Sequence, residues 1–111
     1  LAREVPLLVR DLLRGLVREL LQDVGWSLED VTHWVIHPGG EKVIRSLIEV
    51  LGLPPEKGDA SREVLRAWGN ASSAGVLLVL ESVCRAAREG DRGLLVGFGP
   101  GFSVELVALE W

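Results

Sequence analysis

Val31-Thr-His-Trp-Val-Ile-His-Pro-Gly-Gly40 is the stretch on which the reading of this chain turns. Val31 to Ile36 are β-branched and aromatic on both faces, the pattern of a strand covered on both sides. His37-Pro38-Gly39-Gly40 ends that strand, and a helix follows with Val43, Ile44, Leu47, Ile48 and Leu51 on one stripe. Gly52 then reads as a left-handed cap, Leu53 as its hydrophobic contact and Pro54 as a stop.

Upstream, Val5, Leu8, Val9, Leu12, Leu13, Leu16 and Leu20 recur at three- and four-residue spacing, opposite Arg3, Arg10, Asp11, Arg14, Arg18 and Glu19. The spacing predicts a long amphipathic helix ended by Gly25, with Pro6 tolerated in its first turn. Downstream, Ser61 is expected to cap a brief helix carrying Val64, Leu65 and Trp68, which Gly69-Asn70 breaks. A longer helix is expected from Ala71 towards Arg88, with Gly90 as its stop. Apolar residues surround its first half, which predicts burial there, and small side chains in its first turns admit other backbones. The chain closes with a hairpin, Gly93 to Phe98 and Phe102 to Trp111, around a type II turn at Gly99-Pro100-Gly101-Phe102. This order predicts an α/β fold, a mixed sheet flanked by helices with a terminal β-hairpin and a right-handed crossover between the first two strands.

Composition narrows the class. With 111 residues, 48% hydrophobic and 25% charged, the chain has material for one compact domain. One cysteine makes no internal disulfide, and a formal charge of −4 argues against nucleic acid as a partner. The longest apolar run, Val76 to Leu80, is far too short to span a membrane. The sequence begins at Leu1 with neither an initiator Met nor a signal-peptide layout, and three strands are few for a sheet covered on both faces. Together these lead us to expect a piece of a longer protein, with sequence missing upstream.

Three segments carry chemistry, and each has a plain structural reading beside the functional one. His37-Pro38-Gly39-Gly40 is a turn by composition, yet it stands at a strand's carboxyl end, where ligands of open α/β sheets bind. A histidine there can donate to an oxygen on which negative charge develops. Asn70, in Gly69-Asn70-Ala71-Ser72-Ser73, either caps the next helix or points its amide into a cavity as a second neutral donor. Gly97-Phe98-Gly99-Pro100-Gly101 is a hairpin corner whose backbone can also line a pocket.

HPGG at 37–40, GN-x-SSA at 69–74 and GFGPG at 97–101, in that order and on those elements, resemble the C-terminal part of the type III polyketide synthases, the chalcone and stilbene synthase family. Ser61-Arg-Glu-Val-Leu-Arg66 also looks familiar from that family. The resemblance covers nearly all of this chain but only about the last third of such an enzyme. It implies a thiolase-like fold of two α/β halves in five layers, and a cytoplasmic homodimer that condenses a starter acyl-CoA with malonyl-CoA. By motif position His37 resembles the histidine and Asn70 the asparagine that polarise the malonyl thioester carbonyl during decarboxylation. Gly39 and Gly40 resemble the stretch beside the CoA pantetheine arm; Ser72, within the asparagine motif, is expected to line the substrate pocket, and Gly97, Phe98, Gly99, Pro100 and Gly101 resemble the loop shaping the cyclisation pocket.

The resemblance implies no cofactor beyond CoA thioester substrates, no metal, and a missing N-terminal half that carries the nucleophilic cysteine. Ala71 stands where plant members usually have Met, which bears on pocket shape alone. Cys84 is no substitute nucleophile: it lies on a Leu77, Leu80, Cys84, Ala87 stripe well inside a helix and reads as a small buried hydrophobe. His33 is expected to be structural or exposed, and Trp34 and Trp68 to be packing residues. Two alternatives stand beside this reading. One is a ketoacyl-ACP synthase III-like condensing enzyme, against which HPGG and GFGPG weigh. The other is a non-catalytic, stand-alone interaction domain of the same fold.

Overall fold

A computed structural model of the chain describes residues 7–70, 73–99 and 103–111. The elements run α1 (Leu7–Val24), β1 (His33–Ile36), α2 (Glu41–Leu51), α3 (Asp59–Trp68), α4 (Ser73–Ala86), β2 (Arg92–Gly99) and β3 (Ser103–Glu110). Short 3₁₀ turns at Leu28–Asp30 and Pro55–Gly58 precede β1 and α3. The sheet order is β1-β2-β3, with β1 parallel to β2 and β2 antiparallel to β3. This is the mixed sheet with a terminal hairpin that the sequence predicts; the turn at Pro100 to Phe102 lies outside the described residues.

Strand alternation sorts the core into two layers. Trp34, Ile36, Leu94 and Val96 pack with Leu13, Val17 and Leu21 of α1 and with the apolar stripe of α2. Val35 faces the other way, against Val64 of α3 and Val79 and Val83 of α4. The stripe of α2 is buried as read, and Gly52 adopts the left-handed cap (φ 67°), accepting no side chain in its place without strain.

Four expectations need correction. In α1 the line closest to the sheet is Leu13, Val17 and Leu21, while Leu12 is half exposed, because both lines are apolar and the pattern alone does not choose between them. Ser61 is not a cap: α3 begins at Asp59 after Gly58, and Ser61 sits inside the helix, fully buried. In α4 the inward line is Gly75, Val79 and Val83, so Leu77 is 65% exposed and Cys84 is exposed, not buried. The rotation follows from Gly75, where an added Cβ would come within 2.8 Å of the Pro38 ring. Only a hydrogen fits that contact, and positions four and eight later then face the sheet. Trp68, the last residue of α3, is 67% exposed and is not a packing residue.

Candidate active site

The three motifs meet at the carboxyl ends of β1 and β2. The parallel register ends on Ile36 opposite Val96, and the His37 N–H continues it by donating to the Val96 carbonyl at 2.9 Å. Gly97 therefore runs on beside His37. From the break between α3 and α4, the Asn70 Nδ2 donates a long, weak bond to the Gly39 carbonyl at 3.5 Å. Gly97 is buried, and Phe98 and Gly99 continue β2 opposite Val104 and Ser103. Ser72, Pro100 and Gly101 lie outside the described residues.

The turn at His37 is built tightly. Pro38 is fully buried against Gly75 of α4. A Cβ on Gly39 would stand 3.0 Å from Cδ2 and 3.3 Å from Nε2 of His37, so the imidazole lies across the space a side chain there would take. Gly40 has φ 149° and ψ 159°, a conformation open in practice to glycine alone, and its carbonyl accepts the Ile44 N–H to start α2. At Gly97, by contrast, an added Cβ would meet only ordinary contacts at 3.8 and 3.9 Å. The His37 ring explains Gly39 and the backbone conformation explains Gly40, and neither reason applies at Gly97.

The His37 ring is half-buried and has no hydrogen-bond partner among the described residues. Burial holds its pKa below the ordinary imidazole value of 6.5, so the ring is neutral at pH 7. A neutral imidazole carries one N–H donor. The arrangement thus presents an unengaged neutral donor at a strand end, with an amide donor held to the same turn.

Sequence reasoning missed two groups that support this turn. Ser61 Oγ, buried, donates to the Ile36 carbonyl at 2.7 Å. Arg62 Nε reaches both carboxylate oxygens of Glu41, the first residue of α2, at 3.1 and 3.2 Å. Both belong to the Ser61-Arg-Glu-Val-Leu-Arg66 stretch, whose familiarity was the available signal. The other histidine, His33, is engaged as expected of a structural residue: its Nε2 lies 2.8 Å from Asp91 Oδ2. Cys84 Sγ accepts from the Trp111 indole at 3.4 Å, on the outer side of α4 and away from the turn. A concavity of about 490 Å³ lies between α1 and α2 beside Val17, Leu21, Trp26 and Val50, and no residue of the three motifs lines it. We take the strand-end turn as the site because the polar groups converge there.

A family model for the chalcone and stilbene synthases, C-terminal domain, matches residues 1–110. The chain belongs to that family. It is 38% identical over 112 residues to a chalcone synthase-like protein of Bacillus subtilis (strain 168), covering 99% of this chain and 31% of that protein. It is 41% identical over 109 residues to the 1,3,6,8-tetrahydroxynaphthalene synthase of Streptomyces peucetius subsp. caesius, covering 96% of this chain and 29% of the relative. Among solved structures it superposes on the 1,3,6,8-tetrahydroxynaphthalene synthase of Streptomyces coelicolor A3(2), a bacterial type III polyketide synthase. That match has a TM-score of 0.82 at 34% identity and covers 92% of this chain and 30% of the other. The α/β arrangement is therefore that of the thiolase-like fold, and the chain spans under a third of the length of these relatives.

Proposed function

We propose that this chain supplies the C-terminal part of a type III polyketide synthase that condenses an acyl-CoA with malonyl-CoA, and that His37 and Asn70 are its enolate-stabilising donors. The observation that carries this reading is the half-buried His37 imidazole without a hydrogen-bond partner among the described residues, beside Gly39 and in the turn whose Gly39 carbonyl the Asn70 amide reaches. In this mechanism the malonyl C–C bond breaks, CO₂ leaves, and the electron pair passes into the thioester carbonyl as an enolate. The His37 N–H and the Asn70 Nδ2–H donate to that developing oxyanion. Neither is a charged acid, so the enolate is stabilised without being protonated at once. Its carbon then attacks an acyl group carried on a cysteine of the upstream half; the new C–C bond forms, the C–S bond breaks and the thiolate leaves.

Burial of the ring works in the same direction, because a donor in a water-poor site acts more strongly than one in bulk solvent. The rigid turn supplies the other requirement, donors fixed in place before charge develops. In the complete synthase, His37→Ala and Asn70→Ala are each expected to abolish malonyl-CoA decarboxylation while leaving part of the acyl loading of the cysteine. Undiminished decarboxylation in both variants would overturn the assignment.

A further inference from the structure

We infer that Ser61 is a positioning residue for His37, holding the peptide unit from which the imidazole is aimed. One peptide plane joins Ile36 to His37. Its carbonyl accepts from Ser61 Oγ at 2.7 Å, and its N–H donates to the Val96 carbonyl at 2.9 Å. Both polar ends of that plane are therefore taken, one by α3 and the other by β2. On the far side of His37, Pro38 has its φ fixed by its ring and restricts the histidine before it to extended backbone. Pro38 is also clamped against Gly75. With the backbone held on both sides, only the side-chain torsions of His37 remain, and Gly39 gives the ring its place.

The grip of Ser61 is itself anchored. Its side chain is fully buried, as is Ile36, so solvent does not replace the hydroxyl. The next residue, Arg62, ties α3 to Glu41 at the head of α2 and to the Pro55 carbonyl at 2.8 Å. Neighbouring residues of one helix thus bracket His37-Pro38-Gly39-Gly40, one at the residue before it and one at the residue after. Without the hydroxyl, the Ile36 carbonyl is a buried acceptor with an open valence, and the plane turns or sinks to satisfy it. A displacement of the imidazole on the order of 1 Å is enough to lower a rate about a hundredfold.

The catalytic consequence rests on the reading of His37 given above, so the test separates the two. In the complete synthase, Ser61→Ala is expected to lower kcat for malonyl-CoA decarboxylation by about tenfold to a hundredfold with KM little changed. It should also shift the imidazole resonances of His37 in histidine-labelled protein. Ser61→Thr, which keeps the hydroxyl, restores both; Ser61→Val, matched to threonine in volume, does not, and this pair decides the matter where Ser61→Ala folds poorly. Wild-type kcat and unshifted His37 resonances in Ser61→Ala or Ser61→Val, with His37→Ala still inactive, would overturn the positioning role and leave the function standing. Should His37→Ala and Asn70→Ala both retain undiminished decarboxylation, the function falls, and the His37 resonances alone uphold or overturn the positioning.

Discussion

Two histidines stand four residues apart at opposite ends of β1, and the chain treats them in opposite ways. At the amino end His33 is closed in. Asp91 pairs with its Nε2 at 2.8 Å, the Trp111 ring meets it edge-on at 5.5 Å, and the Trp111 backbone bonds to Gly90 and Asp91. At the carboxyl end His37 has no partner for its ring among the described residues, while the backbone around it is fixed from every direction. One end places its polar interactions on the side chain, the other on the main chain. A side chain already paired holds the fold together. One left unpaired on a fixed backbone is available to a substrate.

This contrast can be broken most forcibly at the closed end. An added Cβ at Gly93 would stand 2.7 Å from the Trp111 ring and 3.1 Å from the His33 carbonyl, and the backbone atom cannot move aside. Gly93→Ala is expected to cost about 3 kcal/mol of stability, measured by urea unfolding, with decarboxylation per folded molecule unchanged. The matching change at the open end, Gly39→Ala, pushes on the flexible His37 ring alone, at 3.0 Å. Its stability cost should stay below about 1 kcal/mol, whereas kcat falls about tenfold, equivalent to about 1.4 kcal/mol of activation free energy. Equal stability losses in the two variants would erase the distinction between the ends.

The smallest effect is in pH. Burial lowers the His37 pKa in the folded protein from 6.5, so the unfolded chain takes up the proton first as pH falls. The contribution of this group is complete above about pH 6.5, diminishes below it, and levels off once the folded protein is protonated as well. Asp91 behaves in the same sense, in a lower pH window. Its pKa is lowered from 3.8, first by the Arg88 backbone N–H and then by His33, so its contribution persists above 3.8 and is lost as pH falls through the lower folded-state value. Urea midpoints followed from pH 7.5 to 5 should show a decline in the wild type that His37→Gln removes. A decline of the same size in the variant would assign it elsewhere.

Much of this was legible from residue order. The apolar stripe of α2 follows its periodicity, and the β-branched run before His37 forms the expected strand, though from His33 and not from Val31. The three motifs were legible as a set because they fall at element junctions, which the parallel and hairpin pairings bring to one sheet edge. What escaped was rotation and reach. A helix apolar on all sides has no preferred face, so the inward line of α4 was decided by a contact between Gly75 and Pro38 that sequence spacing does not encode. Ser61 resembled a cap because serine caps helices; its actual partner lies 25 residues away. Trp68 was misread because hydrophobicity marks a residue as able to pack without saying whether anything lies opposite.

The doubly held Ile36–His37 peptide has a consequence for how the chain matures. One of its bonds comes from α3 and the other from β2, the second of which is made long after His37 itself has been synthesised. Non-local pairings of this kind bear their loop-closure entropy before they return any stability, and so they form late. The donor is accordingly aimed only when the far strand has docked. A nascent or partly unfolded chain holds the same histidine without its orientation, and on the function proposed above activity becomes a readout of completed folding.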